Sequence, residues 1–184
     1  MQVRGSIIQS IDQFVSEKYS ERYDDWKSEL NAETLDLIKN ASSSDWYPVE
    51  DGVINPTEAM CDMFFNKDMR GAWESGRYSA EVALTGIYKI FLLVATPSFL
   101  LKRASRIIAT FYDPADLKVI SSTNDSVVVR SNQLIKSEIV EYRLAGWMEK
   151  ALELCGCKNL DLSITQSLAK GDAFFEVSIN WDQN

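Results

Sequence analysis

The chain has 184 residues, of which 46 % are hydrophobic and five are tryptophan, enough apolar material for one packed domain and unlike a disordered composition. A net charge of −8 and a pI near 4.6 argue against binding to a nucleic-acid backbone, which needs clustered Lys and Arg. The absence of histidine removes Ser-His-Asp and Cys-His catalysis, His-ligated zinc, and haem held by a proximal histidine.

Charge is unevenly placed. Residues 1–66 carry 13 acidic and 5 basic side chains, whereas residues 67–184 carry 14 of each. One domain, 1–184, is expected, with an acidic helical subdomain (1–66) and a helix-plus-sheet subdomain (67–184). An ordinary solvated face accounts for the acidic surplus. The opening MQVRGSIIQSIDQF lacks the apolar core of a signal peptide. The most apolar stretch, 87–101, contains Lys89 and Pro97 and is too short to span a bilayer. Three cysteines without a secretion signal suit reduced thiols. The expectation is a soluble cytoplasmic protein with no transmembrane segment.

Apolar Ile7, Ile8, Ile11, Phe14 and Val15 recur at helical spacing and predict a helix over 3–19. Shorter helices are expected over 20–30 and 32–39, and ASSSDWYPVEDG reads as a loop. Asn55-Pro56 opens a helix through 65. A long helix over 68–94 carries a stripe of small residues, Ala72, Gly76, Ala80 and Ala83, which calls for close approach by another helix. Thr96-Pro97 starts a further helix ending at Phe111. The period then changes: 117–121 and 126–130 predict a hairpin, 134–155 a helix, and 160–165 with the final run FFEVSINW a second hairpin. Helices packed on one face of a four-stranded antiparallel sheet make this an α+β fold.

Few residues nominate chemistry. Neither a G-x-x-x-x-G-K-[ST] nor a G-x-G-x-x-G loop occurs. Cys155-Gly-Cys157 has the wrong gap for a C-x-x-C metal or redox pair, so no metal and no cofactor is expected. Glu138 with Glu141, and Glu149 with Glu153, sit at helical spacing among Lys136, Arg143 and Lys150 and read as a solvated face. Lys102, Arg103 and Arg106 form a basic patch, read as the solvated side of an amphipathic helix.

Several stretches, in order, carry a resemblance: VRGSIIQSIDQF, DWYPVE, GRYSAEVALTGIYKIFL, TPSFLLKRASRI, LAGWMEKALELCGCKN and KGDAFFEVSINW. Together they resemble a paralogous family of uncharacterised proteins from myxobacteria and related deltaproteobacteria. That family is distantly similar to the fold of 4-vinyl-reductase-like domains, haem-nitric-oxide-binding domains and the Bet-type subunits of the TRAPP tethering complex. The resemblance implies helices on one face of an antiparallel sheet and a role in sensing or assembly. It does not carry haem, because the proximal histidine and the Tyr-x-Ser-x-Arg motif of the haem-binding branch are missing here. Ser167 and Phe175 stand where the 4-vinyl-reductase-like pattern places cysteines, so no thiol chemistry carries over either.

The expected function is a non-enzymatic sensory domain of bacterial signalling that binds an apolar small molecule or a lipid. Trp46, Tyr88, Phe91, Phe111, Trp147 and Phe175 are the expected pocket residues. One alternative is an interaction module, a homodimer through Ala72, Gly76, Ala80 and Ala83. The other is an enzyme built on carboxylates.

Overall fold

The computed structural model describes residues 1–85 and 103–182. Among them are seven α-helices and seven strands. The first half comprises β1 (Gln2–Arg4), α1 (Gly5–Lys18), α2 (Tyr23–Ser28), α3 (Ala32–Asn40), β2 (Trp46–Pro48), a π-helical turn (Glu50–Ile54), α4 (Asn55–Phe64) and α5 (Arg70–Thr85). The second comprises α6 (Ala104–Phe111), β3 (Tyr112–Asp113), β4 (Lys118–Ser122), β5 (Ser126–Ser131), α7 (Glu138–Leu154), β6 (Lys158–Gln166) and β7 (Phe175–Asp182).

The expected α+β architecture is present. The main sheet is antiparallel in the order β4-β5-β7-β6, so the two hairpins join through their inner strands. Val127 faces Ile179 and Val129 faces Val177 in that seam, and all four are buried. Phe175, Val177, Ile179 and Trp181 alternate with more exposed neighbours, as the period-two pattern requires. Their buried side meets α7, which packs in turn on α5. Residues from Val3 to Trp181 share one hydrophobic core.

Three details differ from the sequence reading. The helix expected from residue 3 begins at Gly5, because Val3 is a strand residue paired with both Tyr47 and Tyr112. The expected loop ASSSDWYPVEDG contains β2, whose Pro48 is tolerated on the edge of the small sheet β2-β1-β3. Arg4 holds this corner by lying 4.1 Å from the Trp46 ring centroid and donating to the Ser44 carbonyl. The third difference is the start of α7, at Glu138 and not at 134. The Asp116 carboxylate accepts from Ser131 Oγ at 2.7 Å and from the Asn132 and Gln133 amides at 3.0 and 3.1 Å. Those amides are thereby held in a turn that precedes the helix. Asp116→Ala is expected to cost about 1–2 kcal/mol in urea unfolding and to speed amide exchange at Asn132 and Gln133.

The expected helix over 68–94 is present as α5 up to Thr85; its remainder and the start expected at Thr96 lie outside the described residues.

Candidate functional site

The site is built where α5 crosses α7. A methyl group on Gly76 would lie 2.0 Å from the Arg143 carbonyl oxygen, and one on Gly146 would lie 2.1 Å from the Trp73 carbonyl oxygen. Two glycines therefore let the backbones touch, which is the close approach that the small-residue stripe calls for. The approaching helix belongs to the same chain. Ala72 and Ala80 are wholly buried, Gly76 is buried and Ala83 is half-buried, so this stripe packs within the chain. A homodimer face does not lie open at Ala72, Gly76 and Ala80.

Beside the crossing is a cavity of about 10 Å³, lined by Ile7, Gly76, Ser79, Ile108, Phe111, Tyr112, Arg143, Leu144 and Trp147. It is about the size of one water molecule. The small sheet positions two of its walls, since β1 leads into α1 and Ile7, and β3 carries Tyr112. The Ser10 and Ser79 hydroxyls lie 3.0 Å apart and tie α1 to α5 at the same level.

Arg143 is the unusual member. It is 2 % exposed, and its Nη1 donates to the Ser75 hydroxyl. Among the described residues its Nε–H has no hydrogen-bond partner. Burial pulls its pKa down, and the neighbouring Tyr112 hydroxyl works in the opposite direction. The sequence reading placed Arg143 on a solvated face; the structure buries it. The signal was present: Arg143 follows Val140 by three residues and precedes Trp147 by four, inside the apolar stripe of α7.

Of the expected pocket residues, Phe111 and Trp147 line this cavity, with ring centroids 6.4 Å apart. Trp46 lies on β2 against Arg4, and Phe175 is fully buried in the core beneath α7; neither is among the cavity's lining residues. Tyr88 and Phe91 lie outside the described residues, as does Lys102 of the basic patch, whose Arg103 and Arg106 are exposed on or beside α6.

The carboxylate pairs separate by role. Glu138 pairs with Lys170 Nζ at 2.9 Å. Glu141, expected on the surface, is wholly buried and accepts from Ser167 Oγ at 2.6 Å and from the Ala169 amide at 3.1 Å. It holds the turn that leads into β7. Glu149 accepts from Trp73 Nε1 at 2.9 Å and from Arg77, and Arg77 Nη2 meets Glu153 at 2.5 Å. These charges line an open cleft of about 620 Å³ and are neutralised within it.

All three cysteines are free. Burial pushes the Cys61 and Cys155 thiols up to about 11. Thiol alkylation of the folded protein is expected to stay slow at pH 8 and to accelerate as the pH approaches that value. The linkage runs the same way. An unfolded thiol loses its proton above about pH 8.5, while the buried Cys61 keeps it, so thermal stability is expected to fall as the pH is raised from 9 toward 11.

No family model matches the sequence, and no curated protein matches it. Solved structures do. The chain is similar to the unliganded Fe(II) H-NOX protein from K. algicida, at 14 % identity over 98 % of this chain and 97 % of that one, with a TM-score of 0.72. It is similar to the S. oneidensis H-NOX protein in the Fe(II)NO ligation state, at 10 % identity over 98 % of this chain and 99 % of that one, with a TM-score of 0.72. The NMR structure of the H-NOX domain from Shewanella oneidensis in the Fe(II)CO ligation state matches at 10 % identity over 98 % and 99 % of the two chains, with a TM-score of 0.71. The chain therefore has the H-NOX fold, the haem-NO-binding fold of the sequence reading. The narrower kinship with a myxobacterial family is without support in these comparisons.

Haem does not fit the residues present. The chain has no histidine to ligate iron, and burial keeps the Cys61, Cys155 and Cys157 thiols protonated. Among the described residues, the cavity lined by Ile7, Ile108, Phe111 and Trp147 has room for about one water and not for a porphyrin. No helix among the described residues is long and apolar enough to cross a membrane.

Proposed function

We propose that this chain is a small-ligand-binding sensory domain of bacterial signalling that uses the H-NOX fold without haem. The observation that carries the reading is the small, almost wholly apolar cavity at the α1, α5, α6 and α7 junction, with the buried guanidinium of Arg143 beside it. Packing alone favours an apolar side chain there. The likeness to H-NOX proteins studied in Fe(II)NO and Fe(II)CO ligation states lends the sensory part. The nearly all-apolar wall suits a small apolar molecule, and the α5–α7 crossing beside it is the element that ligand occupancy would shift.

Thermal melting against a panel of small anions, small neutral molecules and diatomic gases tests this. At least one class is expected to raise the Tm by mass action. The same class is expected to leave Ser79→Val, which fills the cavity, unchanged. A panel in which nothing shifts the wild-type protein refutes the reading.

A further inference from the structure

The turn that ends α7 carries two of the three thiols. Cys155 caps the helix at φ −82° and ψ 4°, Gly156 follows in the left-handed region at φ +92°, and Cys157 leads into β6. The Gly156 amide donates to the Glu153 carbonyl at 2.9 Å and the Cys157 amide to the Leu152 carbonyl at 3.1 Å. These two bonds make a Schellman turn, which folds the chain back on itself. Cα atoms two residues apart are separated by at most about 7 Å in an extended chain, and this turn brings them closer. A disulfide needs about 4.4–6.8 Å. The right-handed residue before a left-handed glycine also sets the two flanking Cα–Cβ bonds on the same side of the turn. The thiols lie near enough for Cys157 to disfavour ionisation of Cys155. A methyl on Gly156 would meet nothing within 4 Å, so the linking peptides have room to turn.

We infer that Cys155 and Cys157 are a reversible dithiol–disulfide pair, oxidised by low-molecular-weight disulfides. This site is independent of the cavity and of the sensory reading. Cys157 lies in the wall of the open cleft of about 620 Å³, beside Arg77 and Lys158, and Cys155 is half-buried, so a small disulfide reaches the turn from solvent. The Cys155 thiolate attacks one sulfur of the oxidant and expels the other, leaving a mixed disulfide. The Cys157 thiolate then attacks Cys155 Sγ and expels the second sulfur. Two electrons pass to the oxidant, and the two protons of the pair end on the two released thiols. Burial keeps both cysteines protonated at neutral pH, so both steps are slow and the pair is read at equilibrium. A ring closed over one intervening residue is strained, which places the bond among the easily reduced, regulatory disulfides. Once closed, it ties the end of the helix that carries Arg143 and Trp147 to the start of β6.

Glutathione buffers are the probe. The folded protein is equilibrated in them, quenched with acid, denatured and alkylated. As glutathione disulfide replaces reduced glutathione, the protein is expected to lose two alkylatable thiols and to carry no glutathione. The tryptic peptide 151–158 is expected to be lighter by the two thiol hydrogens, and excess reduced glutathione is expected to restore them. Cys61→Ser is expected to behave as the wild type. Cys157→Ser is expected to stop at the mixed disulfide, with one glutathione on Cys155. If that variant does not fold, Cys155→Ser makes the same test, with the glutathione on Cys157. A wild-type protein that keeps all three thiols at equilibrium, or that retains bound glutathione, overturns the assignment. Loss of the oxidation in Cys61→Ser overturns it equally, because the bond would then involve Cys61.

Discussion

Gly146→Ala is expected to lower the unfolding free energy by about 3 kcal/mol, at the upper end of overpacking costs. The added methyl would lie 2.1 Å from the Trp73 carbonyl oxygen, and a helix backbone cannot yield as a side-chain tip can. Gly76→Ala meets the Arg143 carbonyl oxygen at 2.0 Å and is expected to cost about as much. The double variant distinguishes a shared cause from two local ones. Once α7 has moved away from α5 to admit one methyl, the second enters space already opened, so the combined cost is expected to fall well short of the sum. Urea unfolding of the two single variants and the double measures this directly. Additive costs would mean that the two contacts are independent and that the crossing does not behave as one joint.

Glu141→Ala is the second large effect. The carboxylate is wholly buried and is the acceptor for Ser167 Oγ and for the Ala169 amide. Removing it strands two donors at the mouth of the β6–β7 turn, at an expected cost of about 2–3 kcal/mol. Glu141→Gln keeps one acceptor oxygen and is expected to lose about half of that. Amide exchange resolves the two outcomes. The Ala169 amide is expected to exchange fastest in the alanine variant, while the amides of α7 stay protected. Uniform loss of protection along α7 would instead place the role of Glu141 in the helix itself.

The sequence made the main sheet legible because Val127, Val129, Val177 and Ile179 alternate cleanly, and an alternating run with one buried face admits one reading. The helices α1, α4 and α7 were legible for the equivalent reason at period 3.6, and the glycine stripe correctly demanded a close helical neighbour. The small sheet was not legible. Its strands span two or three residues each, too short to show a period, and they pair across distant parts of the chain. The candidate site was half legible. Phe111 and Trp147 were named as aromatics on helices that face inward. Arg143 and Glu141 were missed because charged residues at helical spacing beside other charges look solvated, and only the position of Arg143 within the Val140–Leu144–Trp147 stripe argued otherwise.

The order β4-β5-β7-β6 also governs when the sheet can exist. β5 has β4 as an early neighbour, but its inner edge waits for β7: Ser126 pairs with Asn180 and Ser131 with Phe175, with all of α7 and β6 between them in the chain. During synthesis, β5 therefore leaves the ribosome with one edge open and keeps it open until β7 is made, and the high contact order slows closure thereafter. Val127 and Val129 are in the meantime exposed beside an unpaired edge, the arrangement most prone to intermolecular pairing. The helical half, whose contacts among α1, α3 and α4 are closer in sequence, can condense first and offer a surface on which α7 and the last strand dock together.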